Sequence, residues 1–287
     1  MIRLALILFA ASVGAAADPT DDLAEQPAGP PARVVTLAPH LAELVFAAGA
    51  GERLAGVTAY TDYPPAAASL PRIGDAFRVD MERIAVIDPD LILAWEGGTP
   101  EALTDRLRGL GYTVMVVRTR SVADVAAAIR RLGERLGTAE TADRAAAEFL
   151  RALELAVSGH DDARPLRVFY QVASRPLYTV NGGHYISELI RLCGGSNVFS
   201  DLDELAPVVT VESVLSRDPE VILAPAGETG VLERWRAWQS LAAVRAGNLR
   251  TVPPDTLARP SPRLVQGAAD ICAAIEASRR ELSAAAP

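Results

Sequence analysis

Histidine and cysteine are scarce in this sequence, whose 287 residues include three histidines and two cysteines. His40, His160 and His184 form no i, i+4 pair, and neither cysteine has the spacing of a metal site, so we expect no zinc centre built by the protein. The sequence also lacks a Gly-x-Ser-x-Gly elbow, a phosphate-binding loop and a Cys-x-x-Cys pair. We therefore predict that the protein is not an enzyme; a two-lobed, metal-dependent enzyme is the alternative from another class.

An excess of basic residues is missing too. The formal net charge is −8, from 28 basic and 36 acidic residues. Because phosphate backbones are bound by basic surfaces, we do not expect nucleic acid as a partner. Half of the residues are hydrophobic and the composition has no collagen-like, coiled-coil or disordered bias, which predicts a globular protein long enough for two domains with their own cores.

The sequence has no run of apolar residues long enough to cross a membrane. After Arg3, the apolar run Leu4–Val13 is shorter than the roughly 20 residues that a spanning helix needs, and small residues follow it. We therefore expect a signal peptide over residues 1–17, cleaved near Ala17, and export to the periplasm. Residues 18–32 begin polar and proline-rich, which predicts an unstructured leader and argues against the alternative of a buried N-terminal strand.

Export would place Cys193 and Cys272 in an oxidising compartment, which favours a disulfide between them. In the chain-entropy model, closing so long a loop stabilises the fold by about 4 kcal/mol. Two buried free thiols are the alternative.

One segment of the sequence occurs twice. Met81–Trp95 aligns without gaps with Val211–Pro225, and Glu, Asp, Pro, Ile, Leu and Ala recur at equivalent positions. A second pair agrees, since Ala42–Val45 matches Ser187–Ile190 and each precedes a glycine-containing pair of small residues. Two distant copies of one unit predict two similar lobes rather than a short-period solenoid. A cleft between the lobes would then be the place where a ligand binds.

Apolar, β-branched runs alternate with helical patterns in both halves, which predicts a parallel sheet in each lobe, covered on both faces. Strands are expected at residues 33–37, 54–57, 91–94, 113–117, 167–172, 221–224 and, as an edge strand, 249–252. Helices are expected at residues 40–48, 81–87, 103–110 and 263–282.

The stretch between the halves is rich in Ala, Arg, Glu and Leu. Its second part, Thr138–Ser158, predicts a helix of about 30 Å with Thr138 as a possible N-cap. We expect this helix to join the lobes; a further surface helix of the first lobe is the alternative. The predicted domains are a first α/β lobe over residues 33–120, a helical linker region over 121–160, and a second α/β lobe over 161–287.

Open parallel sheets bind ligands at the carboxyl ends of their strands. Tyr60, Trp95 and Tyr178, three of only 15 aromatic residues (3 Trp, 6 Tyr and 6 Phe), fall at such ends. Rings in these positions suit a large, flat and partly apolar ligand. Gly97 and Gly98 would let that ligand approach the backbone closely.

The sequence contains three longer motifs: Tyr-x-Asp-Tyr-Pro-Pro at residues 60–65, Ala-Trp-x-Gly-Gly at residues 94–98 and Asp-Pro-Asp-Leu-Ile at residues 88–92. These motifs resemble those of periplasmic cobalamin-binding proteins, a branch of the helical-backbone substrate-binding proteins of ABC importers. The first two are fairly specific for this branch, whereas the third is shared with binding proteins for siderophores and haem. The resemblance runs from Arg33 to the C-terminus. The matching segments are Thr58–Pro65, Asp80–Ile84, Asp88–Gly98, Leu192–Gly195 and Ser261–Arg263.

The resemblance implies two Rossmann-like lobes with parallel sheets, joined by a single long α-helix, with the ligand between them. The implied function is capture of cobalamin or a related corrinoid and its delivery to the membrane and ATPase subunits of an ABC importer, by a monomer with no resident cofactor. Delivery of haem or a ferric siderophore is the alternative, and iron ligation by Tyr60, His40 or His184 would favour it.

The residues carried over from the resemblance form three groups. Ala76 and Ala206 replace cleft tryptophans and Thr256 replaces a further aromatic, which implies a wider or less apolar pocket. The residues implied to face the corrinoid are Tyr60, Phe77, Trp95, Tyr178, Asp255 and Arg259. Cys193 and Cys272 match disulfide positions, and Glu82 and Glu212 match two glutamates that pair with arginines of the membrane subunits.

Some of these residues have simpler interpretations. An acidic residue in a first helical turn, such as Glu82 or Glu212, is ordinarily just favourable with the helix dipole, but equivalent positions in two lobes favour docking on a symmetric partner. Arg259 could be a solvated surface residue, or Asp255 could orient it by a bidentate bond. Tyr185, Trp235 and Trp238 are expected to pack rather than to contact the ligand.

Overall fold

The computed structural model describes residues 29–75, 78–160, 164–227 and 230–284. The predicted signal peptide and the leader up to residue 28 lie outside the described residues. Pro31 and Ala32, at the end of the leader, differ from the unstructured segment expected there. The Pro31 carbonyl accepts a hydrogen bond from Arg53 Nη1 at 2.7 Å, and the Ala32 amide donates to Asp90 Oδ2 at 3.0 Å.

The first lobe holds a four-stranded parallel sheet. Its strands are β1 (Val34–Thr36), β2 (Leu54–Gly56), β3 (Leu91–Trp95) and β4 (Val114–Val117). Its helices are α1 (Pro39–Ala47), α2 (Pro65–Ala68), α3 (Met81–Ile87), α4 (Glu101–Gly109) and α5 (Val122–Leu136). The strand order is β2-β1-β3-β4.

A connecting helix, α6 (Ala139–Val157), follows. Its 19 residues span about 28 Å. The predicted linker region therefore contains two helices, of which α5 packs on α1 of the first lobe and α6 leads to the second lobe. Thr138 occupies the N-cap position of α6, but its side chain makes no capping hydrogen bond.

The second lobe holds another parallel sheet of four strands and a short antiparallel hairpin, β6–β7. Its strands are β5 (Leu166–Tyr170), β6 (Ala173–Ser174), β7 (Leu177–Tyr178), β8 (Gly195–Asn197), β9 (Val221–Pro225) and β10 (Leu249–Val252). Its helices are α7 (Tyr185–Leu192), α8 (Val211–Arg217), α9 (Ala242–Arg245) and α10 (Leu264–Ala284).

The order of the second sheet, β10-β9-β5-β8, repeats that of the first. In chain order within each lobe, both sheets run second, first, third, fourth. The duplication predicted from the sequence is therefore a duplication of topology, and β10 is an edge strand as predicted. The central strands β3 and β9 are buried from Leu91 to Ala94 and from Val221 to Ala224, which explains why both are continuously apolar.

Helix α6 packs against α5 and α10, the helices that follow the last strand of each sheet. The predicted disulfide between Cys193 and Cys272 is confirmed, and it joins the end of α7 to the middle of α10. In the described part of the chain, no helix has the length and apolar character needed to cross a membrane.

Candidate ligand-binding cleft

Tyr60 lies in the loop after β2, where its backbone adopts the left-handed conformation with φ of 64°. Its side chain is 80% exposed, so the ring is presented to solvent rather than packed in a core. The loop is held from the other lobe, because Arg259 Nη2 donates to the Tyr60 carbonyl at 2.8 Å and to Asp62 Oδ2 at 3.1 Å, while Arg259 Nη1 donates to Asp62 Oδ1. Tyr60 and Arg259, predicted to share a cleft, are thus in direct contact across the lobes.

Arg259 is surrounded by acceptors of the first lobe. Besides Asp62, it contacts Glu43 on α1, with 3.3 Å between Nη1 and Oε1, and only 15% of its side chain is exposed. The hydrogen bonds from Arg259 lower the pKa of Asp62. The suggestion that Asp255 orients Arg259 is wrong, because the carboxylate partners of Arg259 among the described residues are Asp62 and Glu43, and Asp255 is exposed in the loop after β10.

Trp95, the last residue of β3, packs edge-on against His40, with 4.8 Å between the ring centroids. His40 is 3% exposed, and its Nε2 atom has no hydrogen-bond partner among the described residues. Burial and, second, the charge of Arg259 lower the pKa of His40 to about 3, so the imidazole is neutral at physiological pH. His40 therefore supports Trp95 from within the lobe.

Gly97 and Gly98 accommodate the Trp95 indole. A Cβ atom on Gly98 would lie 2.3 Å from Trp95 Cε3, and one on Gly97 would lie 2.9 Å from Trp95 Cζ2. These glycines therefore have a role in placing the tryptophan ring, and the close approach of a ligand to their backbone stays a prediction.

The second lobe contributes Tyr178 through the β6–β7 hairpin. Tyr178 pairs with Ala173 in the hairpin and with Val208 on its other side. Directly paired residues of antiparallel strands project to the same face, so Val208, which is 56% exposed, presents its side chain beside Tyr178. Val208 was missed because it lies in an irregular segment without strand periodicity.

Arg259 and its partners Glu43, Tyr60 and Asp62 form one bonded group. Two other predicted ligand residues, Tyr178 and Asp255, are not bonded to it in the described part of the chain. Among the described residues, no hydrogen bond, ion pair or ring contact connects Tyr178 or Asp255 to Tyr60, Trp95 or Arg259. Phe77 and the neighbouring Ala76 lie outside the described residues.

Glu82 and Glu212 are the second residues of the equivalent helices α3 and α8, and both are exposed. A helix that returns between parallel strands starts at the carboxyl edge of the sheet, so both glutamates lie at the edge that also carries the cleft residues. Backbone hydrogen bonding and the Thr210 hydroxyl lower the pKa of Glu212.

The sequence profile described as periplasmic binding protein matches residues 34–256. The chain belongs to the periplasmic binding protein family. A vitamin B12-binding protein of Vibrio cholerae serotype O1 is 34% identical over 253 residues, which are 88% of this chain and 92% of that protein. The crystal structure of the periplasmic vitamin B12 binding protein BtuF of Vibrio cholerae has a TM-score of 0.80 at 34% identity and covers 88% of this chain and 99% of that chain.

A periplasmic haem-binding protein from Pseudomonas aeruginosa has a TM-score of 0.74 at 22% identity, covering 85% of this chain and 92% of that chain. At this identity the likeness shows the fold alone. The resemblance drawn from the motifs is confirmed, as are the two parallel-sheet lobes that characterise these binding proteins.

Trp235, Tyr185 and His184 of this family member have structural roles. Trp235 is buried, and its Nε1–H donates to Gln171 Oε1 at 2.8 Å; the hydroxyl of buried Tyr185 donates to the Leu257 carbonyl at 2.8 Å. Trp238 differs from the packing role expected for it, because it is 40% exposed.

His184 caps α7, since its Nδ1 accepts a hydrogen bond from the Ile186 amide at 3.1 Å. Burial lowers the pKa of His184 to about 4. Its Nδ1 is therefore occupied in holding the helix. In the described ranges, no group of three or more His, Cys, Asp or Glu residues is arranged to hold a metal ion.

Proposed function

We propose that this protein captures cobalamin or a related corrinoid between its lobes and delivers it to an ABC importer. The observation that carries the proposal is the 34% identity, over 88% of the chain, to a protein named vitamin B12-binding protein. The contact of Tyr60 with Arg259 across the lobes supports a ligand site at this junction.

The cleft residues suit a corrin ring. Tyr60 presents an exposed aromatic face, Trp95 is fixed by His40 and by Gly98, and Tyr178 with Val208 forms an apolar patch on the second lobe. Aromatic rings and a valine side chain that cover the faces of a flat macrocycle contribute to its binding mainly through apolar contact. Phe77, Asp255 and Arg259 complete the proposed ligand set.

For delivery, we propose that Glu82 and Glu212 pair with arginines on two equivalent membrane subunits of the importer. Both carboxylates are exposed and occupy equivalent positions in two lobes of like topology. Such exposed charges set register and association rate more than affinity. Helix α6 packs on α5 of the first lobe and on α10 of the second lobe. This packing would limit opening of the cleft to small angles.

The proposed mature protein begins after Ala17, acts in the periplasm as a monomer and holds no resident cofactor or metal. Its domains follow the predicted boundaries, 33–120, 121–160 and 161–287. The Cys193–Cys272 disulfide supports an oxidising compartment.

Titration calorimetry of the mature chain with cyanocobalamin, hemin and a ferric siderophore tests the ligand. We expect submicromolar binding of cyanocobalamin. Tyr60→Ala is expected to weaken cyanocobalamin binding by ~10-fold, because one aromatic contact and the apolar area that it buries are lost. Tyr60→Phe keeps the ring and should keep most of the affinity. Tight binding of hemin alone, lost in Tyr60→Phe, would instead establish haem delivery through the phenol oxygen.

A further inference from the structure

Glu43 and Glu188 occupy equivalent positions in the two lobes. They are the glutamates of the repeated segments Ala42–Val45 and Ser187–Ile190, in helices α1 and α7. Neither was assigned a role by sequence reasoning.

Glu43 reaches from the first lobe to the beginning of the last helix of the second lobe. Its Oε2 accepts a hydrogen bond from Arg263 Nε at 3.2 Å, and its Oε1 accepts from Arg263 Nη2 at 3.3 Å. Arg263 directly precedes α10, and the Glu43 side chain is only 2% exposed. The same carboxylate also contacts Arg259, which holds the Tyr60 loop.

Glu188 makes the reciprocal connection. Its Oε2 accepts a hydrogen bond from the amide of Val122 at 2.9 Å. Val122 is the first residue of α5, which follows the last strand of the first sheet as α10 follows the last strand of the second. A carboxylate at this position satisfies an otherwise unpaired amide of the first helical turn.

The spaces beside the two glutamates are equivalent as well. A cavity of about 420 Å³ is lined by Glu43 and Phe46 of α1 and by Arg263, which precedes α10. A second cavity, of about 500 Å³, is lined by Glu188 of α7 and by Ser121, the N-cap of α5. Each glutamate therefore bridges the lobes at the edge of an open space.

We propose that Glu43 and Glu188 are paired positioning residues that set the distance between the lobes, and with it the width of the cleft. Each holds the N-terminus of the other lobe's last helix. The two differ in strength: Glu43 engages two cations and, through Arg259, the Tyr60 loop, whereas Glu188 engages one backbone amide. This inference extends the proposed function, but the lobe separation exists without any ligand.

The test measures that separation in the ligand-free mature protein. Arg106→Cys on α4 and Ser216→Cys on α8 place one exposed label in each lobe for pulsed electron paramagnetic resonance. We expect Glu43→Gln and Glu188→Ala to shift the distance distribution to longer values and to broaden it. Glu154→Gln, an exposed change on α6, is the control and leaves the distribution unchanged.

If Glu43→Gln does not fold, the double variant Glu43→Gln/Arg263→Gln replaces it. The double variant removes one charge of each sign, so it does not leave Arg263 as a cation without its partner. Distributions that coincide with the parent in folded variants of both glutamates would overturn the proposal. If the proposed ligand is right, Glu43→Gln also weakens cyanocobalamin binding by ~10-fold, the size of an ordinary coupling between a conformational equilibrium and a ligand. Absence of cyanocobalamin binding in the parent would refute the ligand and leave the distance result intact.

Discussion

Asp88 and Asp218 end equivalent helices, α3 and α8, with the same left-handed backbone, at φ of 49° and 42°. A proline follows each aspartate, and the residue after that proline is acidic. Its carboxylate accepts a backbone hydrogen bond at the first strand of the same sheet. Asp90 Oδ2 accepts a hydrogen bond from the Arg33 amide at 2.8 Å, and Glu220 Oε2 accepts from the Arg167 amide at 3.0 Å. The Asp-Pro-acid motif is therefore a helix-to-strand turn that also anchors a neighbouring strand, which explains why it recurs.

The left-handed conformation of Asp88 predicts a specific order of stability. Asp88→Ala is expected to lower the free energy of unfolding by ~1–2 kcal/mol, because alanine at positive φ brings Cβ close to the following carbonyl oxygen. Asp88→Gly avoids this clash and is expected to be more stable than Asp88→Ala, although both lose the exposed ion pair with Arg33. Urea denaturation measures both; equal stabilities would contradict a role for the backbone conformation.

Glu220 gives a pH-dependent prediction. Burial raises its pKa, but the hydrogen bonds from Arg164 and from the Arg167 amide outweigh burial and lower the net pKa from 4.5. A carboxylate with a lowered pKa in the folded state stabilises above its unfolded pKa, and this stabilisation is lost as the pH falls below about 4.5 and through the folded value.

We therefore expect Glu220→Gln to lower the free energy of unfolding by ~2 kcal/mol at pH 7, the contribution of hydrogen bonds to a charged group. The difference from the parent should shrink toward pH 3 in denaturation curves. Glu276→Gln, which removes the half-exposed carboxylate that pairs with Arg279 and Arg280 on α10, is the control with little effect. A penalty for Glu220→Gln that is independent of pH would contradict the charge-based explanation.

The elements that sequence reasoning predicted best are those with strong local signals. The buried strand Leu91–Ala94 is a continuous apolar run, and the predicted helix over residues 81–87 matches α3 because proline stops it on one side and Asp80 caps it on the other. The β6–β7 hairpin was missed because each of its strands has two residues, too few to show alternation.

The partners of Arg259 could not have been found in the same way. Glu43 and Asp62 lie 216 and 197 residues away, and nothing in the local pattern of either segment encodes that separation. The loop around Arg259 offered Asp255 as a nearby carboxylate, and proximity in sequence favoured the wrong partner. Only the packing of the two lobes brings the acids of the first lobe to the arginines of the second.

Gly98 supports a prediction about the cleft. Gly98→Ala places Cβ against the Trp95 ring, so the indole must move, at a cost of about 1–3 kcal/mol in stability. We expect a changed tryptophan fluorescence spectrum and cyanocobalamin binding weakened by ~10-fold, as for loss of one aromatic contact. Gly109→Ala, in α4, meets no atom within 4 Å and is the matched control. Unchanged affinity in Gly98→Ala would place Trp95 outside the ligand site.

Glu82 and Glu212 are predicted to separate ligand capture from delivery. Among the described residues, neither forms a hydrogen bond or ion pair with Arg259 or its partners, so Glu82→Ala/Glu212→Ala should bind cyanocobalamin as tightly as the parent. Import of labelled cyanocobalamin by cells that carry the variant gene in place of the natural one should fall, because the two charges proposed to orient docking are gone. The exposed first-turn glutamate of α4, Glu101, has no assigned docking role, and Glu101→Ala is the matched control.

The effect of the two docking substitutions should also depend on ionic strength. Exposed charges steer association over about 10 Å at 0.1 M salt, and added salt screens them. Binding of the parent to importer-containing vesicles should therefore slow as salt rises, while the double variant, already slow, changes less. If Glu82→Ala/Glu212→Ala imports at the parent's rate, the pseudo-symmetric carboxylates do no more than stabilise the first turns of α3 and α8.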